Sequence, residues 1–133
     1  MTKLAQGALG VDDPLVTLGV DVTRPATEYG YLIPDLSRSQ AARLTGYVLK
    51  AFEEKPTSVR AAALAREAGV AWNAGMFMWR RRAIRAALEK YAGGLLATLE
   101  SGATSAAMLE GAYERLQPIS IDYAVMEGAA RDG

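Results

Sequence analysis

Two short blocks on either side of one helix decide the fold of this chain: Phe52-Glu53-Glu54-Lys55-Pro56 and Trp72-Asn73-Ala74-Gly75-Met76-Phe77. The first block ends a strand-like run with a carboxylate and an ammonium group. The second places an amide and a glycine at the mouth of another apolar run. Residues 57–69, between them, have the pattern of one amphipathic helix. Polar groups at the ends of buried strands joined by a crossover helix are typical of a ligand site on an α/β sheet.

The composition is that of an ordinary globular domain. The chain has 133 residues, of which 50% are hydrophobic and 23% are charged, so it forms one domain at most, with a modest core. Its 15 basic and 15 acidic residues give a net charge of zero, which argues against nucleic acid or an anionic membrane as the main partner. No segment is apolar for long enough to span a bilayer, and the first residues lack a signal-peptide pattern, so we expect a cytoplasmic protein.

The chain contains neither cysteine nor histidine. This composition excludes disulfides, Cys/His zinc sites and any nucleophile that is paired with histidine. Chemistry at a site in this chain must therefore use carboxylates, lysine, tyrosine, amides, the backbone or a metal bound by oxygen.

Strand-like and helix-like segments alternate along the chain. Strands are predicted at residues 15–20, 29–33, 44–52 and 72–79, and helices at 57–69, 80–91, 95–99 and 105–116, with a helix tail at 1–10 and a loop entering a last helix at 120–127. Nearly continuous apolar runs such as 15–20 fit strands that are covered on both faces. We therefore predict an α/β fold with a partial, mixed but mostly parallel sheet and covering helices.

Glu54 and Lys55 are the first candidate site residues. Neighbouring residues on a strand point in opposite directions, but Pro56 can turn the chain so that both side chains reach one cleft. The lysine suits a phosphate as a compact charge, and the glutamate suits sugar hydroxyls as an acceptor. The alternative is a solvated end of a strand before a helix.

Further candidates lie in three other places. Asn73 can donate and accept at once, and Gly75 permits close backbone approach, although a simple turn would use the same residues. Asp122, in the first turn of a helix, is either stabilised by the helix dipole or available to Mg²⁺. Gly30, between two tyrosines, would let a ligand approach the backbone.

Five blocks occur in order: Val16-Thr17-Leu18-Gly19-Val20, then Arg24-Pro25 and Thr27 before Tyr29-Gly30-Tyr31, then Phe52-x-Glu54-Lys55-Pro56, then Trp72-Asn73-x-Gly75-Met76-Phe77, then Ser120-Ile121-Asp122-Tyr123-Ala124-Val125-Met126-Glu127. This series resembles the bacterial mannose-1-phosphate guanylyltransferases (GDP-mannose pyrophosphorylases), which are sugar-phosphate nucleotidyltransferases. The resemblance covers roughly residues 15–128, and the last two blocks are specific.

The family joins GTP to mannose 1-phosphate with Mg²⁺ and releases pyrophosphate. The resemblance implies that Lys55 contacts the sugar 1-phosphate and Glu54 the sugar hydroxyls. It implies that Asn73 and the backbone of Gly30 also line the sugar pocket. Asp122 is similar to a metal-holding aspartate of the family, which makes Lys55 and Asp122 the expected catalytic residues. Positioning and charge neutralisation carry such a phosphoryl transfer, so no protein nucleophile is required.

The chain departs from the family pattern in two respects. Glu28 stands where the family usually has glycine, which places a negative side chain near the expected sugar-phosphate site. The N-terminal half of the catalytic domain, with its glycine-rich nucleotide loop, base-recognition residues and first metal aspartate, has no counterpart. We therefore expect residues 1–133 to be a single partial domain, the sugar-phosphate half of a nucleotide-diphospho-sugar transferase-like fold. Such a chain would be inactive alone and would use GTP only if the missing half were supplied.

Two alternatives stay open. The chain could be a non-catalytic module that binds sugar phosphates or assembles with another polypeptide, or it could serve the same reaction class with another sugar 1-phosphate. A strand at residues 15–20 without its neighbours would expose a sheet edge and an apolar face. Such surfaces favour self-association, so a homo-oligomer is a possible state.

Overall fold

The computed structural model describes residues 13–38 and 46–132, and the predicted helix tail at residues 1–10 lies outside them. The elements are β1 (Val16–Asp21), β2 (Tyr31–Pro34), a 3₁₀ turn (Leu36–Arg38), β3 (Leu49–Glu53), α1 (Ser58–Leu64), β4 (Ala71–Met78), α2 (Arg81–Tyr91), α3 (Gly93–Gly102), α4 (Ala106–Glu114), a π-helical turn (Asp122–Met126) and α5 (Glu127–Asp132). The strand and helix assignments agree with the predicted alternation. Only residues 46–52 of the third predicted strand are described, and its regular part is β3.

The four strands form one sheet in the order β1-β4-β2-β3. β2 lies between β3 and β4 and is antiparallel to both, and β1 is antiparallel to β4. Tyr31 pairs with Glu53 on one side and with Trp72 on the other. This register brings the end of β3 and the start of β4 to the same level of the sheet, so the two sequence blocks meet across β2.

The α/β class is confirmed, but the expectation of a mostly parallel sheet is wrong. Every pairing within the described part of the chain is antiparallel. The crossover interpretation is half correct, because β3 and β4 run in the same direction and α1 connects them. β2 is inserted between them, which turns one expected parallel pair into two antiparallel ones. The apolar run of β1 also misled the prediction, since Leu18 and Val20 lie exposed on an edge strand.

Helix α1 covers one face of the sheet. Thr57 caps it by accepting a hydrogen bond from the backbone N–H of Arg60, at 3.3 Å, and its alanine-rich sequence favours helix. Ala61 and Leu64 are fully buried on its inner side. They pack in a cluster with side chains that alternate along the strands, including Tyr31, Ile33 and Trp72.

The opposite face is covered by α2, the π-helical turn and α5. Leu32 and Phe52 point to this side, where Ala87, Val125 and Met126 complete a second buried cluster. The sheet therefore lies between two layers of helix, an arrangement typical of α/β domains. Of the helices in the described residues, none combines the length and apolarity needed to cross a membrane.

Candidate functional site

The corner that follows β3 is built around Lys55. Its φ angle is 47°, a left-handed conformation that costs a residue with a side chain roughly 1–2 kcal/mol. Its backbone N–H donates to the carbonyl of Tyr29 at 3.3 Å. The chain thus turns sharply after Glu54, and the two neighbouring side chains reach the same side, with Lys55 Nζ lying 3.4 Å from Glu54 Oε1. The turn that the sequence assigned to proline is made by Lys55 itself.

Residues from α5 and the π-helical turn hold this corner from behind. The backbone N–H of Glu54 donates to Glu127 Oε1 at 3.0 Å, and the Tyr123 hydroxyl lies 3.5 Å from the Glu54 carbonyl. These contacts join positions 73 and 69 residues apart. A strained backbone persists when its surroundings over-determine it, and these two bonds supply that constraint.

The Glu54 and Lys55 side chains differ in their environments. Glu54 is only 10% exposed, whereas Lys55 is 55% exposed. Burial raises the pKa of Glu54, the negative charges of Asp122 and Glu127 add to that effect, and Lys55 partly offsets it. The Glu54 side chain is therefore a largely buried acceptor within electrostatic reach of Asp122, while the Lys55 side chain is more than half exposed.

Gly30 lies between the two blocks. Its carbonyl accepts a 2.7 Å hydrogen bond from the backbone N–H of Asn73. A Cβ added at Gly30 would overlap Glu54 Oε2 and lie 3.2 Å from the ring of Phe52. The sequence predicted close approach to this backbone by a ligand, and in the structure the carboxylate of Glu54 approaches it.

Asn73 sits where β4 bulges away from β1. Thr17 pairs with Phe77 and Gly19 pairs with Asn73, so β4 carries two extra residues at this point. Gly75 has a φ of 67° within the bulge, a value that favours glycine. Bulges of this kind re-aim side chains beside functional sites.

The amide of Asn73 is the centre of a hydrogen-bond network. Its Oδ1 accepts from the backbone N–H of Gly75 at 3.2 Å and from Thr17 Oγ1 at 2.7 Å. Its Nδ2 donates to Asp122 Oδ1 at 3.0 Å. The network thereby connects β1, β4 and the π-helical turn that carries Asp122.

All five candidate site residues are brought into one region of the molecule. Contacts run from Lys55 to Glu54, from Glu54 to Gly30, from Gly30 to Asn73 and from Asn73 to Asp122. Sequence reasoning missed the contributions of Thr17, Tyr123 and Glu127. A hydroxyl inside the apolar run of β1, and a carboxylate at the end of the last block, were the signals available for two of them.

Asp122 and the acidic side chains near it are the candidate ligands for a divalent cation. Mg²⁺ prefers oxygen ligands and is commonly held by one or two carboxylates together with phosphate oxygens. In residues 13–38 and 46–132 no group of three or more acidic side chains is placed to hold a metal. Asp122 uses Oδ1 for Asn73 and lies near the buried Glu54. A divalent cation at Asp122 would therefore need ligands beyond the described side chains, such as phosphate oxygens.

Glu28, the residue that departs from the family pattern, points to its own loop. It forms an ion pair with Arg24 and accepts from the backbone N–H of Thr27 at 3.0 Å. The Arg24 bond is the main cause that lowers the pKa of Glu28. Arg24 in turn lies over the rings of Tyr29 and Trp72, at 5.7 and 5.9 Å from their centroids. The negative charge is therefore neutralised within this loop.

The fold and the candidate residues together define the class of protein. It is an α/β domain in which a lysine, a largely buried glutamate and an aspartate lie close together beside the sheet. No family model matches the chain. Among curated proteins it is 36% identical over 124 residues to a mannose-1-phosphate guanylyltransferase of Sinorhizobium fredii, covering 87% of this chain and 23% of the relative. It is 36% identical to the alginate biosynthesis protein AlgA of Pseudomonas putida (88% and 25%) and 31% identical to a mannose-1-phosphate guanylyltransferase of Escherichia coli (87% and 26%).

Two solved structures are also similar to this chain. A protein named mannose-1-phosphate geranyltransferase from Thermus thermophilus matches with a TM-score of 0.69 at 34% identity, over 86% of this chain and 32% of its own. A mannose-6-phosphate isomerase from Helicobacter pylori matches with a TM-score of 0.69 at 28% identity, over 85% of this chain and 45% of its own. The resemblance to mannose-1-phosphate guanylyltransferases is confirmed, and the chain spans about a quarter of the length of the curated relatives that it matches.

Proposed function

We propose that this chain provides the sugar-phosphate-binding part of a mannose-1-phosphate guanylyltransferase, and that the site binds mannose 1-phosphate. The observation that carries the proposal is the continuous contact path from Lys55 through Glu54, Gly30 and Asn73 to Asp122. These residues come from four separate blocks of the sequence. Core packing does not require their polar groups to meet, whereas binding of a polar phosphorylated sugar does.

Each residue has a role that its environment supports. The ammonium group of Lys55, more than half exposed, binds the 1-phosphate as a point charge. Glu54, held buried by the corner, accepts hydrogen bonds from sugar hydroxyls. Asn73 Nδ2 donates one hydrogen to Asp122, and its second hydrogen serves a further hydroxyl. The carbonyl of Gly30 bonds to Asn73 and fixes the floor of the pocket.

Asp122 would hold Mg²⁺ together with phosphate oxygens, and Mg²⁺ would neutralise the charge on the phosphates. In the complete reaction, an oxygen of mannose 1-phosphate attacks the α-phosphorus of GTP. The new P–O bond forms as the bond to the β-phosphate breaks and pyrophosphate leaves. Lys55 would lower the repulsion between the two phosphates, and Asp122 would fix the approach geometry.

The isolated chain should not complete this reaction. Its sequence contains neither a G-x-G-x-x-G nor a G-x-x-x-x-G-K-[ST] phosphate loop, so we assign it no GTP site, and GTP enters only where other residues provide one. The cytoplasmic location expected from the sequence is part of the same proposal. GDP-mannose formation from GTP, mannose 1-phosphate and Mg²⁺ above background would contradict the expected inactivity.

Isothermal titration calorimetry with mannose 1-phosphate tests the binding role. Lys55→Ala should weaken binding about 10- to 100-fold, because a hydrogen bond to a charged group contributes about 1.5–3 kcal/mol. Lys50→Ala is the matched control, since Lys50 is an exposed lysine on β3 outside the proposed pocket, and it should bind like the wild type. No binding by the wild type, or equal binding by Lys55→Ala, would overturn the proposal. Tighter binding of glucose 1-phosphate would instead identify another sugar as the ligand.

A second candidate function, assembly, is favoured by the free edge of β1. β1 is an edge strand of the described sheet, and Leu18 (42%) and Val20 (48%) are exposed on it. Residues 16–20 contain no charge or proline, the two features that usually protect an edge from pairing, and Asp21, the last residue of β1, is the only charge on the strand. We infer that this edge pairs with β1 of a second copy of the chain, since the stretch of residues 16–20 carries no like charges that would repel its copy. A dimer in analytical ultracentrifugation is expected, and a clean monomer would remove this candidate.

A further inference from the structure

We propose that Thr17 is a positioning residue of the sugar-phosphate site, acting through Asn73 on Asp122. The inference rests on the proposed function, because it gives a reason for the hydroxyl on β1 that the binding roles leave unused. Thr17 itself touches neither Asp122 nor the Glu54–Lys55 corner in any hydrogen bond of the described residues.

The orientation of the Asn73 amide follows from its partners. Gly75 offers a backbone N–H at 3.2 Å, a group that can only donate, so the atom facing it must be the carbonyl oxygen. Asp122 offers a carboxylate oxygen at 3.0 Å, an acceptor, so the atom facing it must be the amide nitrogen. The two ends of the amide are therefore distinct, and a flipped amide would oppose like groups at both.

Thr17 supplies the shortest bond in this network. Its hydroxyl lies 2.7 Å from Asn73 Oδ1 and 3.4 Å from the carbonyl of Met76. A hydroxyl has a single hydrogen to donate, so the shorter contact receives it. The other bond to Oδ1 comes from within the bulge and is longer. Among the residues that the structure describes, Thr17 is consequently the donor on a neighbouring strand that holds the amide in its orientation.

The bulge explains what the Thr17 bond adds to the backbone pairing. Regular pairing is interrupted between Thr17 and Gly19, so the ladder does not continue through residues 74–76. Gly75, in a left-handed conformation with nothing within 4 Å of an added Cβ, cannot restrain the loop by packing. The backbone of Asn73 is already paired with Gly19 of β1, so the Thr17 hydroxyl, on the other side of the interruption, adds a restraint on the Asn73 side-chain amide. The group that donates to Asp122, Asn73 Nδ2, is thereby held in one orientation.

The Thr17→Val variant distinguishes this positioning role from a purely structural role of Thr17 in the strand. Valine has nearly the shape of threonine and an equally high preference for strands, so Thr17→Val keeps the packing of β1 and removes the hydroxyl. Thr17→Ser keeps the hydroxyl and removes a methyl group. Thr98→Val is the matched control, because it also removes a threonine hydrogen bond, the 2.8 Å bond to the Gly94 carbonyl on α3, far along the chain from the site.

Two measurements on the full chain test the proposal. Nuclear magnetic resonance of the Asn73 side-chain NH₂ group reports its hydrogen bonding without any ligand. Calorimetry with mannose 1-phosphate and Mg²⁺ reports the consequence for binding. In Thr17→Val the Asn73 NH₂ resonances should move toward those of a solvated amide, and affinity should fall roughly two- to tenfold, the equivalent of one neutral hydrogen bond. Thr17→Ser and Thr98→Val should resemble the wild type in both.

The outcomes separate this inference from the proposed function. Unchanged Asn73 resonances in Thr17→Val would overturn the positioning role. Shifted resonances with unchanged affinity would overturn its importance for the ligand. If the wild type binds no mannose 1-phosphate, the proposed function fails, and the resonances alone decide whether Thr17 orients Asn73. Thr17→Ala, which also lacks the hydroxyl, replaces Thr17→Val in every comparison if the valine variant does not fold.

Discussion

At the scale of single residues, the surroundings of Glu54 disfavour its charged form. Burial and the charges of Asp122 and Glu127 raise its pKa despite the neighbouring Lys55. A carboxyl group whose pKa is higher in the folded than in the unfolded state takes up protons on folding. Its contribution to stability is therefore greatest at low pH and declines as the pH rises through the folded-state pKa.

Glu54→Gln should consequently gain stability over the wild type as the pH is raised. The gain should be small at about pH 3.5, below the ordinary pKa of a glutamate, and should grow toward about pH 7 as the wild-type carboxyl group loses its proton. Urea unfolding at both pH values measures it. The same substitution should weaken binding of mannose 1-phosphate, because it removes the charged acceptor that the site maintains at a cost in stability.

Glu28→Gln is the control, because its effect on stability should depend on pH in the opposite direction. Arg24 lowers the pKa of Glu28, so this carboxylate adds stability above its unfolded-state pKa and loses it as the pH falls. Its removal should leave stability unchanged or slightly reduced at about pH 7. A Glu54→Gln variant that loses stability on going from acid to neutral pH, relative to the wild type, would contradict the assigned environment.

At the scale of elements, Tyr31 fastens the loop before β2. Its ring is fully buried against α1 and Trp72, and its hydroxyl lies 2.9 Å from both the backbone N–H and the carbonyl of Ala26. Ala26 is also completely buried. The hydroxyl therefore satisfies a backbone donor and a backbone acceptor that water does not reach.

Tyr31→Phe should destabilise the domain by about 1–3 kcal/mol, the cost of leaving buried polar groups without partners. Urea unfolding measures the loss. Tyr113→Phe is the matched control, because Tyr113 is 61% exposed, and it should change stability by less than about 0.5 kcal/mol. Equal stability of the two variants would show that the Ala26 backbone finds other partners.

The elements also mark the limit of prediction from sequence. The positions of β1, β4, α1 and α2 follow from apolar periodicity, alanine content and caps, which are local properties. The direction of a strand in the sheet depends on which strands pair, and no local feature of the β2 sequence indicates that β2 inserts between β3 and β4. The apolar run of β1 was interpreted as buried on both faces, although the same residues are compatible with an edge.

More of the candidate site than of the sheet topology could be predicted from the sequence. Glu54, Lys55, Asn73 and Asp122 were found because polar residues stood out at the ends of apolar runs and matched an ordered series of blocks. Thr17 was not predicted as a site residue, because threonine is common in strands and its hydroxyl gave no distinctive signal. Its partner lies 56 residues away, and no local pattern reveals such a pair.

At the scale of the whole molecule, the proposed self-association through β1 is tested at the edge that this strand forms in the described sheet. Val20→Lys places a charge on the exposed edge, which is the usual protection against strand pairing. If the wild type sediments as the proposed dimer, the variant should sediment as a monomer at the same concentrations. Val59→Lys is the matched control: Val59 is 81% exposed on α1, away from this edge, and its substitution should leave the dimer intact. Dissociation by both variants, or by neither, would argue against pairing through β1.

The long-range bonds of the site also affect when it forms. Thr17 to Asn73, Asn73 to Asp122 and Glu54 to Glu127 join positions 56, 49 and 73 residues apart. Closing such distances is slow compared with forming a single helix, because chain entropy is lost before any contact compensates for it. Helices α1 to α4 can therefore form early in refolding while the pocket does not yet exist. If the site binds the proposed sugar phosphate, binding should be regained only after these contacts have formed, so the return of binding during refolding would report that folding is complete.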